Sequence, residues 1–229
     1  MNELALFAGV GGGILGSLLL GNNIVCAVER DEWCRHVLVQ RQNERVLSPF
    51  PIWDDICTFD GKPWRGTVDL VSGGFPCQAF SSAARGRNIT EKDLWGEMYR
   101  VVREVCPTLV FAENVSEKPI KKAKADLEGE GYRVEHIKLS AADLGADHIR
   151  GRYWLLAHSD NYGKLCSTLD AETQELPKLC NSFWKSEPPK YGMVDGVANR
   201  VERNRAVGNG QVPIVAAIAF TRLLGKLIE

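Results

Sequence analysis

Cys77 stands in the run Asp69-Leu-Val-Ser-Gly-Gly-Phe-Pro76-Cys77-Gln78, and Glu113-Asn114-Val115 follows 36 residues after the cysteine. An apolar strand over Val68 to Val71 leads into two glycines and a proline. This delivers the thiol on a sharp turn beyond a strand's carboxyl end, where open α/β sheets bind ligands. The glycines let backbone pass close to a bound molecule, and Pro76 fixes one dihedral and withdraws a donor. A cysteine so placed reads as a nucleophile, although a packed thiol is the commoner role of an isolated cysteine and reactivity needs a lowered pKa and access.

A second chemical element lies at the start of the chain. Phe7-Ala-Gly9-Val-Gly11-Gly12-Gly13 directly follows a strand at Leu4 to Phe7 and precedes a helix, the setting in which a glycine turn brings a ligand to backbone amides. Gly11-x-Gly13-x-x-Gly16 also satisfies a dinucleotide fingerprint, so a nicotinamide enzyme is one reading at this point. Glu29, ending the next strand, would accept from ribose hydroxyls in either case. Asp55-Ile56 falls where a third strand should end. An aspartate there can accept from an adenine amino group or serve an ordinary turn.

The elements that position these residues alternate. Strands are predicted at Leu4 to Phe7, Ile24 to Val28, Val68 to Val71, Leu109 to Phe111 and Tyr153 to Leu156. Helices are predicted over Asp31 to Gln40, Asp93 to Val105 with Asp93 as N-cap, Ile120 to Gly129, and Val212 to Leu227. This order gives an α/β fold with a mostly parallel sheet and helices on both faces. His158 to Val194 loses the alternation and collects Asn, Ser, Thr and Pro, which marks an insertion or small subdomain.

Composition narrows the setting. The 229 residues, 45% hydrophobic, suffice for one main core. Seven cysteines without a C-x-x-C pair suggest neither a disulfide framework nor a thiolate zinc site, so no metal is expected and a reducing cytoplasm fits. Leu4 to Val28 is uncharged, but six glycines and Asn22-Asn23 interrupt it, which argues against a membrane span. The net charge of −1 carries no global signal for nucleic acid. Local basic groups do exist, at Arg85 and Arg87, at Lys118 to Lys124 and at Arg200 to Arg205.

Taken together, the motifs resemble those of the DNA (cytosine-5)-methyltransferases, in that family's order: Leu6 to Gly12, Glu29, Gly74-Phe75-Pro76-Cys77-Gln78, Phe111-Ala112-Glu113-Asn114-Val115, Arg150-Gly151-Arg152 and Gly208-Asn209-Gly210. The resemblance covers residues 1–157 and about 195–225. It implies a class I S-adenosylmethionine-dependent methyltransferase fold with a short target-recognition segment. The catalytic and cofactor-binding domain would be 1–157, the recognition segment 158–194, and 195–229 a return to the catalytic domain.

The resemblance also implies roles. Cys77 would add to carbon 6 of a cytosine flipped out of duplex DNA, and Glu113 would manage the proton at ring nitrogen 3. Asn114 would hold the loop, and Arg150 and Arg152 would bring positive charge. Phe7, Gly9, Gly11, Gly12, Glu29, Arg30, Asp55, Ile56, Pro76, Leu94 and Asn209 would form the S-adenosylmethionine pocket, with the last helix beside the first strand. Gln78, Ser81, Arg85 and Arg87 would meet DNA. The partners implied are double-stranded DNA and a paired restriction nuclease, with no membrane. The alternatives are a catalytically silent DNA-binding or partner-binding relative and an RNA cytosine methyltransferase.

Three departures stand out. His148 replaces the family's usual glutamine before the arginines, and Gly210-Gln211 replaces a small residue and Val. The recognition segment, at 37 residues with four Lys against five acids, is short and near-neutral. Little counterion release is expected from it.

Overall fold

The computed structural model describes residues 1–76, 94–159 and 208–228. Seven strands, β1 (Asn2–Leu6), β2 (Asn23–Val28), β3 (Ile52–Trp53), β4 (Leu70–Gly74), β5 (Leu109–Asn114), β6 (Arg133–Ser140) and β7 (Gly151–His158), form one sheet in the order β3-β2-β1-β4-β5-β7-β6. Pairings from β3 through β5 are parallel. β7 enters between β5 and β6 antiparallel to both. The strand order reverses between β1 and β4, so their carboxyl ends flank the crevice in which such sheets bind ligands.

Among the described residues five α-helices cover the sheet: α1 (Gly12–Leu18), α2 (Glu32–Asn43), α3 (Trp95–Val105), α4 (Glu117–Gly129) and α5 (Pro213–Ile228). On one face, Trp95, Met98, Val101, Val102 and Val105 of α3, with Ile120, Ala123 and Leu127 of α4, pack on Leu4, Leu6, Val71, Val110 and Leu155. On the other, α5 buries Ile214, Val215, Phe220, Leu223 and Leu227 among Leu109, Phe111, Trp154 and Leu156. A third cluster sets Ile14 of α1 and Leu38 of α2 against Ala5, Ile24 and Ala27. Each such large apolar side chain contributes roughly 1.5–3 kcal/mol by leaving water.

Several predicted boundaries move. Asp31 is the N-cap of α2, its carboxylate accepting from the Cys34 amide, and the helix continues to Asn43. The N-cap of α3 is Leu94, without a side-chain cap, and not Asp93. The start of α4 is Glu117, since Pro119 lies in the first turn, where its missing donor costs nothing. β6 was not foreseen. It is an edge strand, and its sequence Arg-Val-Glu-His-Ile-Lys-Leu-Ser mixes polar residues into exposed, half-buried and buried positions, which conceals the strand period. The expectation that the last helix lies beside β1 is also corrected. α5 packs against α1, β6 and β7, and it is the segment before it that reaches the end of β1. Among the described residues no helix is long and apolar enough to cross a membrane.

Candidate active site

The glycine turn after β1 is built on left-handed backbone. Phe7, Gly9 and Gly11 have φ of 52°, 54° and 92°, a region that glycine enters freely and phenylalanine does not. Glu29 holds this turn. Its Oε2 accepts from the Gly9 amide at 2.6 Å and its Oε1 from the Asp31 amide at 2.7 Å, so one carboxylate links the ends of β1 and β2. Each oxygen retains a further lone pair for a ligand hydroxyl. A Cβ on Gly9 would meet nothing within 4 Å, so the space above the turn is open. An acidic acceptor beside an open glycine cradle fits the ribose end of S-adenosylmethionine.

The other residues expected around a cofactor differ in what they offer. Asp55 caps a single 3-10 turn, accepting from the Cys57 amide at 3.0 Å, which is the turn role weighed for it from sequence. The Ile56 side chain is in the core and its carbonyl accepts from Arg100. Arg30 is exposed, and its carbonyl accepts from Arg35. The Leu94 amide donates to the Pro76 carbonyl at 3.4 Å, joining the described chain on either side of residues 77–93. Asn209 is exposed at the segment that returns to the glycine turn.

Gly74, the last residue of β4, is the register partner of Glu113 on β5, and Cys77 follows three residues later. Cys77, Gln78, Ser81, Arg85 and Arg87 lie outside the described residues, as does nearly all of 158–194. The anchor of the turn is described. Asn114 Nδ2 donates to the Phe75 carbonyl at 2.9 Å within buried surroundings, tying the end of β5 to the chain entering the cysteine turn. The side-chain oxygen of Asn114 accepts from the Ser116 amide, so this asparagine is fully committed to holding backbone.

Glu113 is 6% exposed. Burial pushes its carboxyl up to about 7, against the opposing pull of the Arg152 and Arg150 charges and of a hydrogen bond from Gln211. Arg152 Nε approaches Oε1 at 3.0 Å. This is a charge contact, and among the described residues no aligned hydrogen bond reaches that oxygen. Arg150 turns the other way. It donates to the carbonyls of Gly208 at 2.7 Å and Gly210 at 2.5 Å, which fastens the return segment beside the site. His148, in the place of the family's glutamine, is exposed.

Sequence reasoning noted Gln211 only as a departure from a motif. Its carbonyl lies where a Cβ on Gly12 would be, 2.2 Å from that ideal position, and its side chain reaches Glu113. The signal available was the pairing of a bulkier, amide-bearing residue with three consecutive glycines far upstream.

A seven-stranded sheet in this order, with a glycine turn after β1 and an acid after β2, defines a class I methyltransferase fold. Residues 1–207 match the family model described as C-5 cytosine-specific DNA methylase, and the chain belongs to that family. Among curated relatives, it is 39% identical over 145 residues to the Type II methyltransferase M.Eco47II of Escherichia coli, covering 62% of this chain and 32% of that protein. It is 30% identical over 187 residues to M.HgiDI of Herpetosiphon aurantiacus, covering 78% and 58%. The chain thus spans about a third to three fifths of the length of these relatives. A crystal structure of a DNA modification methyltransferase from an E. coli prophage superposes with TM-score 0.54 at 30% identity, over 70% of this chain and 47% of that one. The S. pombe Dnmt2 methyltransferase has TM-score 0.58 at 18% identity over 83% and 57%, a likeness of fold.

Proposed function

We propose that the chain transfers a methyl group to carbon 5 of cytosine in double-stranded DNA, with Cys77 as nucleophile, Glu113 as proton donor and S-adenosylmethionine as cofactor. The observation that carries this reading is Glu113: a buried carboxyl that holds its proton near neutrality, lies beside the Arg152 guanidinium, and stands in register with the strand leading to Cys77. Carbon 5 of cytosine is a poor nucleophile. A thiolate adding to carbon 6 turns the ring into an enamine, provided a proton reaches ring nitrogen 3 as charge develops there. A Glu113 acid donates that proton, and Arg152 stabilises the carboxylate that remains. Bound S-adenosylmethionine supplies the electrophilic methyl group. Loss of the carbon 5 proton to a base then expels the Cys77 thiolate, and ring nitrogen 3 returns its proton to the Glu113 carboxylate, which restores both the aromatic ring and the acid.

The fold supports this division of labour. Glu29 and the glycine turn would hold the cofactor at the ends of β1 and β2, while the ends of β4 and β5 would carry the base chemistry on the far side of the same crevice. Gln78, Ser81, Arg85 and Arg87 are proposed to meet DNA, and 158–194 to recognise the target. Names of Type II modification enzymes among the relatives support a paired nuclease as partner. The free thiols Cys26, Cys34, Cys57 and Cys106 support a reducing, cytoplasmic setting.

The test is covalent trapping. Duplex DNA containing 5-fluorocytosine, mixed with the protein and S-adenosylmethionine, is expected to give a denaturation-resistant adduct, because fluorine blocks the final elimination. Cys77→Ser should give none. Failure of the unaltered chain to form adduct across mixed-sequence DNA would favour a silent DNA-binding relative.

A further inference from the structure

We propose that Gln211 is a positioning residue that joins the glycine turn of the cofactor site to the Glu113 carboxyl, so that the two halves of the crevice are set by one amide. Three glycines from two parts of the chain converge on it. A Cβ on Gly12 would fall 2.2 Å from the Gln211 carbonyl oxygen, one on Gly13 2.6 Å from its Oε1, and one on Gly74 3.1 Å from its Nε2. Real Cβ atoms do not approach so closely at the first two positions, so glycine is what lets Gln211 enter. The same ideal Cβ on Gly74 would lie 2.7 Å from Glu113 Oε2, which puts the amide and the carboxyl side by side over the end of β4. Gln211 hydrogen-bonds Glu113 there.

The backbone that presents this glutamine is itself anchored. Arg150 holds the carbonyls of Gly208 and Gly210, and Pro213 begins α5, whose Pro213 carbonyl and Ala216 side chain crowd Gly16 of α1. Gln211 is therefore pinned between an arginine latch and a packed helix. The hydrogen bond to Glu113 and the seat against Gly12 and Gly13 cannot relax independently. A ligand that shifts the glycine turn would move the amide on Glu113.

The chemistry has a definite sign. An amide N–H donated to a carboxyl favours the ionised form and so pulls the carboxyl down, against the effect of burial. Among the described residues, Arg152 is the charged group in contact with Glu113, and Arg150 acts on it through space while its donors hold the return segment. Cys77, which follows β4 in the sequence, lies outside the described residues. Without the amide, Glu113 would keep its proton to higher pH and regain it too readily between turnovers. This role rests on the reading of Glu113 as the proton donor.

The test follows the carboxyl itself in the full-length chain without DNA or cofactor. Glutamate labelled with carbon-13 at the side-chain carboxyl is titrated by NMR, the Glu113 signal being the one lost in Glu113→Gln. In Gln211→Met, which keeps length and volume but has no amide, the Glu113 midpoint should rise by about one pH unit, the size expected for losing one hydrogen bond to a charged group. Gln211→Leu, which also lacks the donor and adds no charge, should raise it as well and serves if the methionine variant does not fold. A midpoint unmoved in a folded variant would overturn the proposal. The two readings separate cleanly: an unmoved midpoint with normal adduct formation removes the coupling alone, and a shifted midpoint in a chain that forms no adduct removes methyl transfer alone.

Discussion

Replacing Glu113 with glutamine should stabilise the protein at alkaline pH and leave it nearly unchanged in acid. In the folded chain, burial raises the carboxyl from an ordinary 4.5 to about 7, so between those values the native state holds a proton that the unfolded state has released. Unfolding then loses a proton, and stability falls as pH rises through that window. The contribution is fully present below the unfolded value and is gone above the folded one. At 1.36 kcal/mol per pH unit, the window corresponds to about 3 kcal/mol. Glutamine mimics the protonated acid at every pH. The difference in unfolding free energy between Glu113→Gln and the unaltered chain should therefore grow by about 3 kcal/mol from about pH 4 to about pH 8 in urea titrations. Taking the difference cancels the titration of Glu3, another buried acid whose carboxyl burial pushes up. A difference flat across that range would refute the raised value and with it the proton-donor role.

Three further outcomes are expected. Asn114→Ala removes the buried bond to the Phe75 carbonyl and should cost about 1–3 kcal/mol in denaturant unfolding, with faster proteolysis at the cysteine turn. An unchanged unfolding midpoint would show that the turn is held elsewhere. Gly12→Ala drives a methyl into the Gln211 carbonyl and should lower stability by about 1–3 kcal/mol and weaken S-adenosylmethionine binding in calorimetry; wild-type affinity would mean the two segments part freely. Glu29→Ala should weaken cofactor binding far more than DNA binding, because it loses both the ribose acceptor and the bonds that shape the turn. Equal losses would count against that placement.

Much of the site was legible because its chemistry is local in sequence. Glycines, a terminal acid, Pro76 and Glu-Asn each sit at or just past the end of a strand whose apolar run announces it, and the parallel register then brings those ends together. β6 was harder. A strand reads clearly when one face is buried, and β6 at the edge keeps Glu135 and Lys138 on partly or wholly exposed positions. Side-chain commitments were not legible at all. Nothing in the order of residues says that Ile56 spends its side chain on the core and its carbonyl on Arg100, or that Asp55 caps its own turn.

Gln211 shows why such commitments matter to function. Read along the chain, it is a polar residue before Pro213 in a motif that elsewhere carries a small apolar one. Read in space, it occupies a volume that three glycines leave free and lies against a carboxyl that burial alone would hold still further toward its neutral form. A valine there could fill part of the volume but could donate nothing to Glu113. The substitution at 211 and the glycines at 12, 13 and 74 therefore form one design. Changing any of these glycines to a larger residue should displace the amide and raise the Glu113 midpoint in the same direction as Gln211→Met. If Gly74→Ala left that midpoint where it was while the protein stayed folded, the packing would be incidental to the acid and the coupling would reduce to a single hydrogen bond.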